Sequence, residues 1–481
     1  MDSLPEEIID IVVSFLPKGR FIRLASFATL STLWQKAIER RTFSYIAISS
    51  EDEDIQNFTR IVTPARRAFL RYLKFTVIVP LVGLHVKRDS SQEPEPFNEP
   101  FTSAMHRLFQ LLADKESNDV DERARTCNLI LEVGEVTHYG EKQLRPRQHI
   151  DLLHGGRRLP EVNCVSRLVL YRAAMERGRR VSLRTAVGLA QRLPCLRRVD
   201  IIANELELSE MVGQAGALHL GDREALATAL VESNFLSALR HCKEVCLRLE
   251  EQDPIVLSRH SRLVLPNYTN PLSFEALGSA MRTWSHNLVS LEIGGVFDGT
   301  LFWPSEHEPS AVPASPWPRL RNFHAGLELA TPTGAWYFVP RSERGPRDVP
   351  SEETMQPLFE SWAKALESMP ILEHASIRFL VELETPALDY VSQTSAETWA
   401  VGFHAPGIPR GPRKYGWEWT GLGENHEADY SQSPRLVFRS VDGWRPQRAV
   451  MDKLHALGVD RFLSRNMVDL EVDMFGNVIE A

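Results

Sequence analysis

Between Arg145 and Arg198 the chain carries thirteen arginines and no lysine, and residues 145 to 200 hold only four carboxylates. A guanidinium fork grips a carboxylate or phosphate through two parallel hydrogen bonds, so an all-arginine cluster suits oxyanion recognition. Arg172, Arg177, Arg179 and Arg180 surround the exit of one apolar stretch. They form a candidate dock for an acidic or phosphorylated segment of a target protein. The plain alternative is a set of solvated helix faces paired with acids elsewhere. The whole chain has a formal net charge of −8, and no aromatic residues interleave with the arginines. Nucleic acid is therefore disfavoured as a partner.

Other chemistry-bearing residues do not assemble into a motif. The fifteen histidines are scattered without H-x-x-x-H or H-E-x-x-H spacing. Gly155-Gly156 and Gly294-Gly295 lack the following glycine, lysine or serine that a phosphate cradle needs, and no G-x-S-x-G is present. Cys127, Cys164, Cys195, Cys242 and Cys246 do not read as a disulfide framework. His241-Cys242 with Cys246 lacks zinc spacing, and Cys242 and Cys246 are expected in a core strand. No catalytic residue, metal ligand or cofactor is expected, and the chain reads as a non-enzyme.

The elements that would present a partner-binding surface begin at residue 4. Ser3 with Glu6 has the form of a capping box, which predicts a helix ended by Pro17 and Gly19. Ile8, Ile11, Val12 and Phe15 fall at i, i+3, i+4, i+7 on one apolar face, and Ile9, Val13 and Leu16 make a second. One face can pack on the chain's own second and third helices, through Phe21, Leu24, Ala28, Leu30, Trp34, Ala37 and Ile38. Three helices in about 45 residues bury little, so the other face needs a different surface. An exposed apolar patch of that size marks a binding site.

Leu4-Pro5, Glu7-Ile8, Ile11, Phe15-Leu16-Pro17, Leu24, Leu30-Ser31, Trp34 and Arg41-Thr42-Phe43 together resemble an F-box. That module docks substrate receptors on the Skp adaptor of cullin-based ubiquitin ligases. The resemblance implies adaptor binding by Leu4, Pro5, Ile8, Ile11, Phe15, Leu16, Leu30 and Trp34. Thr32 and Leu33 stand where the family usually carries a basic residue.

Beyond an acidic spacer at Glu51 to Asp54, helical stretches alternate with short apolar strands. Strand starts share apolar residues at i, i+3, i+5. The copies are Leu70-Leu73-Phe75, Val165-Leu168-Leu170, Leu196-Val199-Ile201, Cys242-Val245-Leu247, Leu288-Leu291-Ile293, Leu320-Phe323-Ala325 and Leu372-Ala375-Ile377, with Asn128 to Val133 a further strand. This is the strand signature of leucine-rich repeats, complete at Leu196 to Leu206. The shortest spacing between copies is 31 residues, so the array is irregular; an ordinary α/β domain is the alternative. Helices are predicted over Leu183 to Leu193, Arg223 to Leu239, Phe274 to Trp284 and Glu353 to Met369, with Asp222, Ser273 and Ser351 as caps. Polar, proline-rich loops are predicted at 87–100, 303–318 and 340–350. Trp317-Pro318-Arg319-Leu320 and Thr331-Pro332-Thr333-Gly334-Ala335-Trp336-Tyr337-Phe338 resemble the C-terminal region of a group of fungal F-box proteins. After Ser395 the aromatics Trp399, Phe403, Tyr415, Trp417, Trp419, Phe438 and Trp444 alternate with polar residues. They predict antiparallel strands that cap the array, followed by a helix from Gln447 to Leu457.

The expected fold is thus α/β. A small all-α F-box bundle (1–48) leads through an acidic linker and first helix (49–65) to a leucine-rich-repeat-like array with a parallel sheet (66–395). Capping strands and a helix follow (396–481). The expected function is the substrate-recognition subunit of an SCF-type (Skp–cullin–F-box) ubiquitin ligase, joining the Skp adaptor and through it cullin to an unidentified protein substrate. The alternatives are an F-box scaffold without degradative role, and an enzyme with a helical N-terminal cap. No stretch is long and apolar enough to span a membrane, and the acidic N-terminus is unlike a secretory signal. A soluble cytoplasmic or nuclear protein is expected.

Overall fold

Strict alternation of apolar and polar residues gives a strand one buried and one polar face, and each predicted i, i+3, i+5 stretch is a strand. The computed structural model describes residues 4–16, 24–80, 97–117, 128–139, 149–172, 181–204, 214–250, 267–269, 272–308, 317–341, 346–382, 396–407, 432–462, 466–473 and 478–479. The chain divides into two compact units, Met1–Asp200 and Ile201–Ala481.

In the first unit, β1 (Tyr45–Ser49), β2 (Tyr72–Pro80), β3 (Leu129–Tyr139) and β4 (Val165–Arg172) pair in sequence order, all parallel. The register sets Ile46, Leu73, Leu131 and Leu168 in one row and Ile48, Phe75, Val133 and Leu170 in the next. Apart from half-buried Ile46, these rows are core. The helices are α1 (Glu6–Phe15), α2 (Leu24–Phe27), α3 (Thr32–Thr42), α4 (Asp52–Ile61), α5 (Pro64–Arg67), α6 (Asn98–Ser117) and α7 (Arg184–Ala190). The acidic spacer is the first turn of α4. Asp54 accepts from Ser49 N at 2.8 Å and Ser49 Oγ at 2.6 Å, which ties that turn to the end of β1. β1 overlaps Ser44 to Ile48, the stretch after Phe43 that reads as strand-like in the sequence. α6 begins inside the predicted 87–100 loop. Phe97, Phe101, Met105, Leu108, Phe109 and Leu112 are all buried at helical spacing and outweigh the polar residues between them.

β5 (Arg198–Asn204) crosses the division between the units. In the second unit β6 (Glu244–Glu250), β7 (Ser290–Gly295), β8 (Asn322–Leu327) and, beyond an inserted hairpin, β11 (His374–Glu382) continue the pattern in parallel. Val245, Leu291, Phe323 and Ala375 share one buried row, and Leu247, Ile293, Ala325 and Ile377 the next. The predicted 340–350 loop is that hairpin. Its arms β9 (Phe338–Pro340) and β10 (Arg347–Pro350) pair antiparallel, and its turn, 342–345, lies outside the described residues.

β12 (Ala396–His404) and β13 (Arg435–Arg439) add antiparallel, as expected of the end, and β14 (Val468–Val472) pairs parallel to β13. Trp399 packs on Phe338, Phe379 and Trp444 with ring centroids 5.2 to 5.7 Å apart, so these aromatics form core. Tyr415, Trp417 and Trp419 lie outside the described residues.

The second-unit helices are α8 (Gln214–Val231), α9 (Ser233–Ala238), α10 (Ala276–Ser285), α11 (Glu352–Glu367) and α12 (Arg448–Arg461). The predicted 223–239 helix is two, broken where Glu232 turns to extended backbone. The cap assignments differ as well. Asp222 is buried inside α8, Ser273 has a left-handed φ of 63°, and Ser351 precedes α11 without a side-chain bond. No helix among the described residues is long and apolar enough to cross a membrane.

Candidate docking site

Period 3.6 divides α1 into two apolar stripes, and the bundle uses one of them. Ile9 and Val13 are fully buried against Trp34, Ala37 and Ile38 of α3, with Leu16, Leu24, Phe27, Ala28 and Leu33 packed around them. The other stripe faces outward. Leu4, Ile8, Ile11 and Val12 are 40, 43, 52 and 39% exposed, Phe15 is 82% exposed, and Leu30 before α3 is 45% exposed. Pro5 is also exposed and stands at the N-cap of α1. Trp34, expected among the docking residues, is buried in the free chain. At 7% exposure its indole stacks on Phe27 with centroids 6.2 Å apart, because it fills the space between α2 and α3. Leu16 is likewise half-buried on the inner side, leaving Leu4, Pro5, Ile8, Ile11, Phe15 and Leu30 on the surface.

Charges lock α1 in this orientation. Arg40 reaches Glu6 at 2.5 Å and also binds Asp10, while Lys36 lies 3.2 Å from Glu6. The Arg40 hydrogen bond, with Lys36 second, holds the Glu6 carboxyl below its usual range. Glu6 is thus the first residue of the helix and an inter-helix anchor. The capping-box role does not hold, because α1 starts at Glu6 after Pro5, and Ser3 lies outside the described residues. Arg41 donates to the Val13 carbonyl and, at 2.5 Å, to that of Leu16, satisfying acceptors that a helix C-terminus leaves open. Leu16 is extended, as a residue before proline must be.

Of the proposed arginine dock, Arg177, Arg179, Arg180 and the side chain of Arg172 lie outside the described residues. Three other arginines of that segment, Arg167, Arg192 and Arg198, are engaged. Arg167 and Arg198 bind the two oxygens of buried Asp200 at 2.5 and 2.8 Å, and Arg192 donates to the Gly156 and Arg157 carbonyls. Cys246 lies in β6 and Cys242 just before it, both buried, where small hydrophobes are wanted.

Two polar clusters escape any linear motif. His374 and His404, thirty residues apart, sit opposite each other in the β11–β12 register with Nδ1 atoms 2.9 Å apart. His324 meets Ser376 at 2.9 Å across β8–β11. In the second cluster Arg223 on α8 meets Glu275, the N-cap of α10, at 3.1 Å. The signal was the strand register, which spacing in one strand does not contain.

Burial pushes His324 and His374 down to about 4 and holds His404 well below the usual imidazole range, with His374 and then Arg435 adding repulsion at His404 and Arg435 at His374. An Nδ1–Nδ1 hydrogen bond also needs one ring unprotonated there. The folded state therefore binds fewer protons than the unfolded one. The stability these rings contribute is fully present above the unfolded value of about 6.5 and is lost as pH falls toward 4. Every tenfold loss in a ring's hold on its proton corresponds to roughly 1.4 kcal/mol. We expect the denaturant midpoint of the second unit to fall steadily from pH 6.5 to 4, and His374→Gln to flatten that slope. A midpoint independent of pH in this window would exclude the buried neutral cluster.

No protein-family model matches the chain, and no curated protein is similar to it.

Proposed function

We propose that this chain is the substrate-recognition subunit of an SCF-type ubiquitin ligase, with residues 4–43 acting as an F-box. One observation carries the reading. Leu4, Ile8, Ile11, Val12, Phe15 and Leu30 stay exposed while the reverse side of α1 is packed and ion-paired into its bundle. Fully burying such a side chain contributes about 1.5–3 kcal/mol, so six together give a strong incentive to dock on a partner groove. The sequential parallel strands with in-register apolar rows support a leucine-rich-repeat-like array as the target-binding part. Its contribution would be proximity, holding a target near a ubiquitin-charged conjugating enzyme.

Capture of the purified chain by an immobilised Skp-family adaptor tests the reading. Retention of the chain on the adaptor, and of added cullin in the same complex, is expected. Absence of retention for a chain shown to be folded would remove the F-box assignment. Accumulation of a co-purifying partner when the proteasome is blocked is expected of a receptor, and an unchanged partner level would point to a scaffold.

A further inference from the structure

Three buried or nearly buried arginines in the second unit come with acids. Arg223 rests on Glu275, Arg248 on Glu292 and Arg282 on Glu308. Arg347, the first residue of β10, breaks that pattern. It is 7% exposed, its guanidinium carbon lies 3.9 Å from the centroid of the Trp336 ring, and its Nε is sealed from solvent with no acceptor. Among the described residues no carboxylate pairs with it. Burial lowers its pKa. The next residue, Asp348, is taken by Arg341 at 3.0 Å.

Both halves of the pair are held in place. Trp336 is bridged to Ala330 across a turn in which Thr331 Oγ1 meets Thr333 Oγ1 at 2.9 Å and accepts from Ala335 N at 3.0 Å. Gly334 takes a φ of 83° there, which glycine adopts without strain. The Trp336 carbonyl accepts from Thr354 Oγ1 of α11 at 2.8 Å. Arg347 is fixed by β9–β10 pairing. A guanidinium held over an indole still carries in-plane N–H donors suited to an oxyanion, and an isolated buried charge is costly until such a partner arrives.

We propose that Trp336 and Arg347 form a binding site for an oxyanion, a carboxylate or a phosphate, carried by the protein target. That the oxyanion belongs to a target rests on the receptor reading; the site itself does not.

Thermal unfolding of the full chain in sodium acetate, sodium phosphate and sodium chloride at matched ionic strength tests it, because a ligand that binds only the folded state raises Tm. Acetate stands for an acidic side chain and phosphate for a phosphorylated one. The wild type should gain Tm over chloride in at least one oxyanion, and which one identifies the source. Arg347→Met should start higher in chloride, having lost an uncompensated buried charge, and should gain nothing more from either oxyanion. Trp336→Phe, which keeps a ring under the guanidinium, should show a reduced gain and covers the case in which the methionine variant does not fold. Equal oxyanion response in wild type and both variants, or a lower starting Tm for folded Arg347→Met, would overturn the site. Adaptor capture of Arg347→Met, read at the α1 face, should be unchanged, so failure here is distinct from failure of the F-box reading.

Discussion

Replacing Ile8 by glutamate is expected to weaken binding to a Skp-family adaptor about tenfold or more, while the chain's own stability shifts by no more than about 0.5 kcal/mol. The two effects separate because of where Ile8 sits. It is 43% exposed on the free stripe of α1, so a carboxylate there remains hydrated in the free protein. Docking would strip that hydration without supplying a partner, and 1.4 kcal/mol already corresponds to about tenfold in affinity. Val13, one stripe away and 2% exposed, should behave in the opposite way. Val13→Glu would place the charge against Trp34 and Ile38 and unfold the bundle before any partner is met. Titration of the adaptor by calorimetry, with near-ultraviolet circular dichroism as the folding control, reads both. Wild-type affinity in folded Ile8→Glu would show that the exposed stripe is not the docking face.

The second large effect is expected on stability. Glu275→Gln should cost the second unit about 3–5 kcal/mol, the usual penalty for removing one partner of a buried ion pair. Arg223 and Glu275 are each 2% exposed in their side chains, and Arg223 also donates to the Val296 carbonyl at 2.8 Å. Its guanidinium carbon lies 4.8 Å from the Tyr268 ring centroid and 5.1 Å from that of Phe297, so water does not replace the lost carboxylate. Glu275 also accepts from Leu277 N at 3.2 Å and from Gly278 N, which the amide keeps only in part. Burial raises the Glu275 carboxyl above its usual range even with Arg223 beside it. Removing both charges, as Arg223→Met with Glu275→Leu, should therefore recover most of the loss. Denaturant unfolding of the three variants decides it, and a loss below about 1 kcal/mol for Glu275→Gln would mean that the pair is well solvated.

What the amino-acid order determined by itself is whatever depends on local period. The two stripes of α1 are legible because residues three and four apart share a helix face. The strands from Leu73 to Ile377 are legible because residues two apart share a strand face. The same local physics misplaced the capping box at Ser3, since Glu6 satisfied the pattern while its carboxylate went to Arg40. The 340–350 stretch read as loop because proline and glycine density hides a short hairpin whose pairing is not local.

Only the tertiary structure decided which apolar residues of the bundle face outward. Trp34 fits the docking pattern by type, yet lies beneath the face because α2 folds over it. It alone also brought His374 to His404 and Arg223 to Glu275. Those meetings depend on the register of neighbouring strands and the packing of helices between them. Register is set where buried rows such as Leu291, Phe323 and Ala375 interlock across connections tens of residues long. A polar residue's partner therefore follows from the packing of the opposite, apolar face, and no spacing within a single segment encodes it.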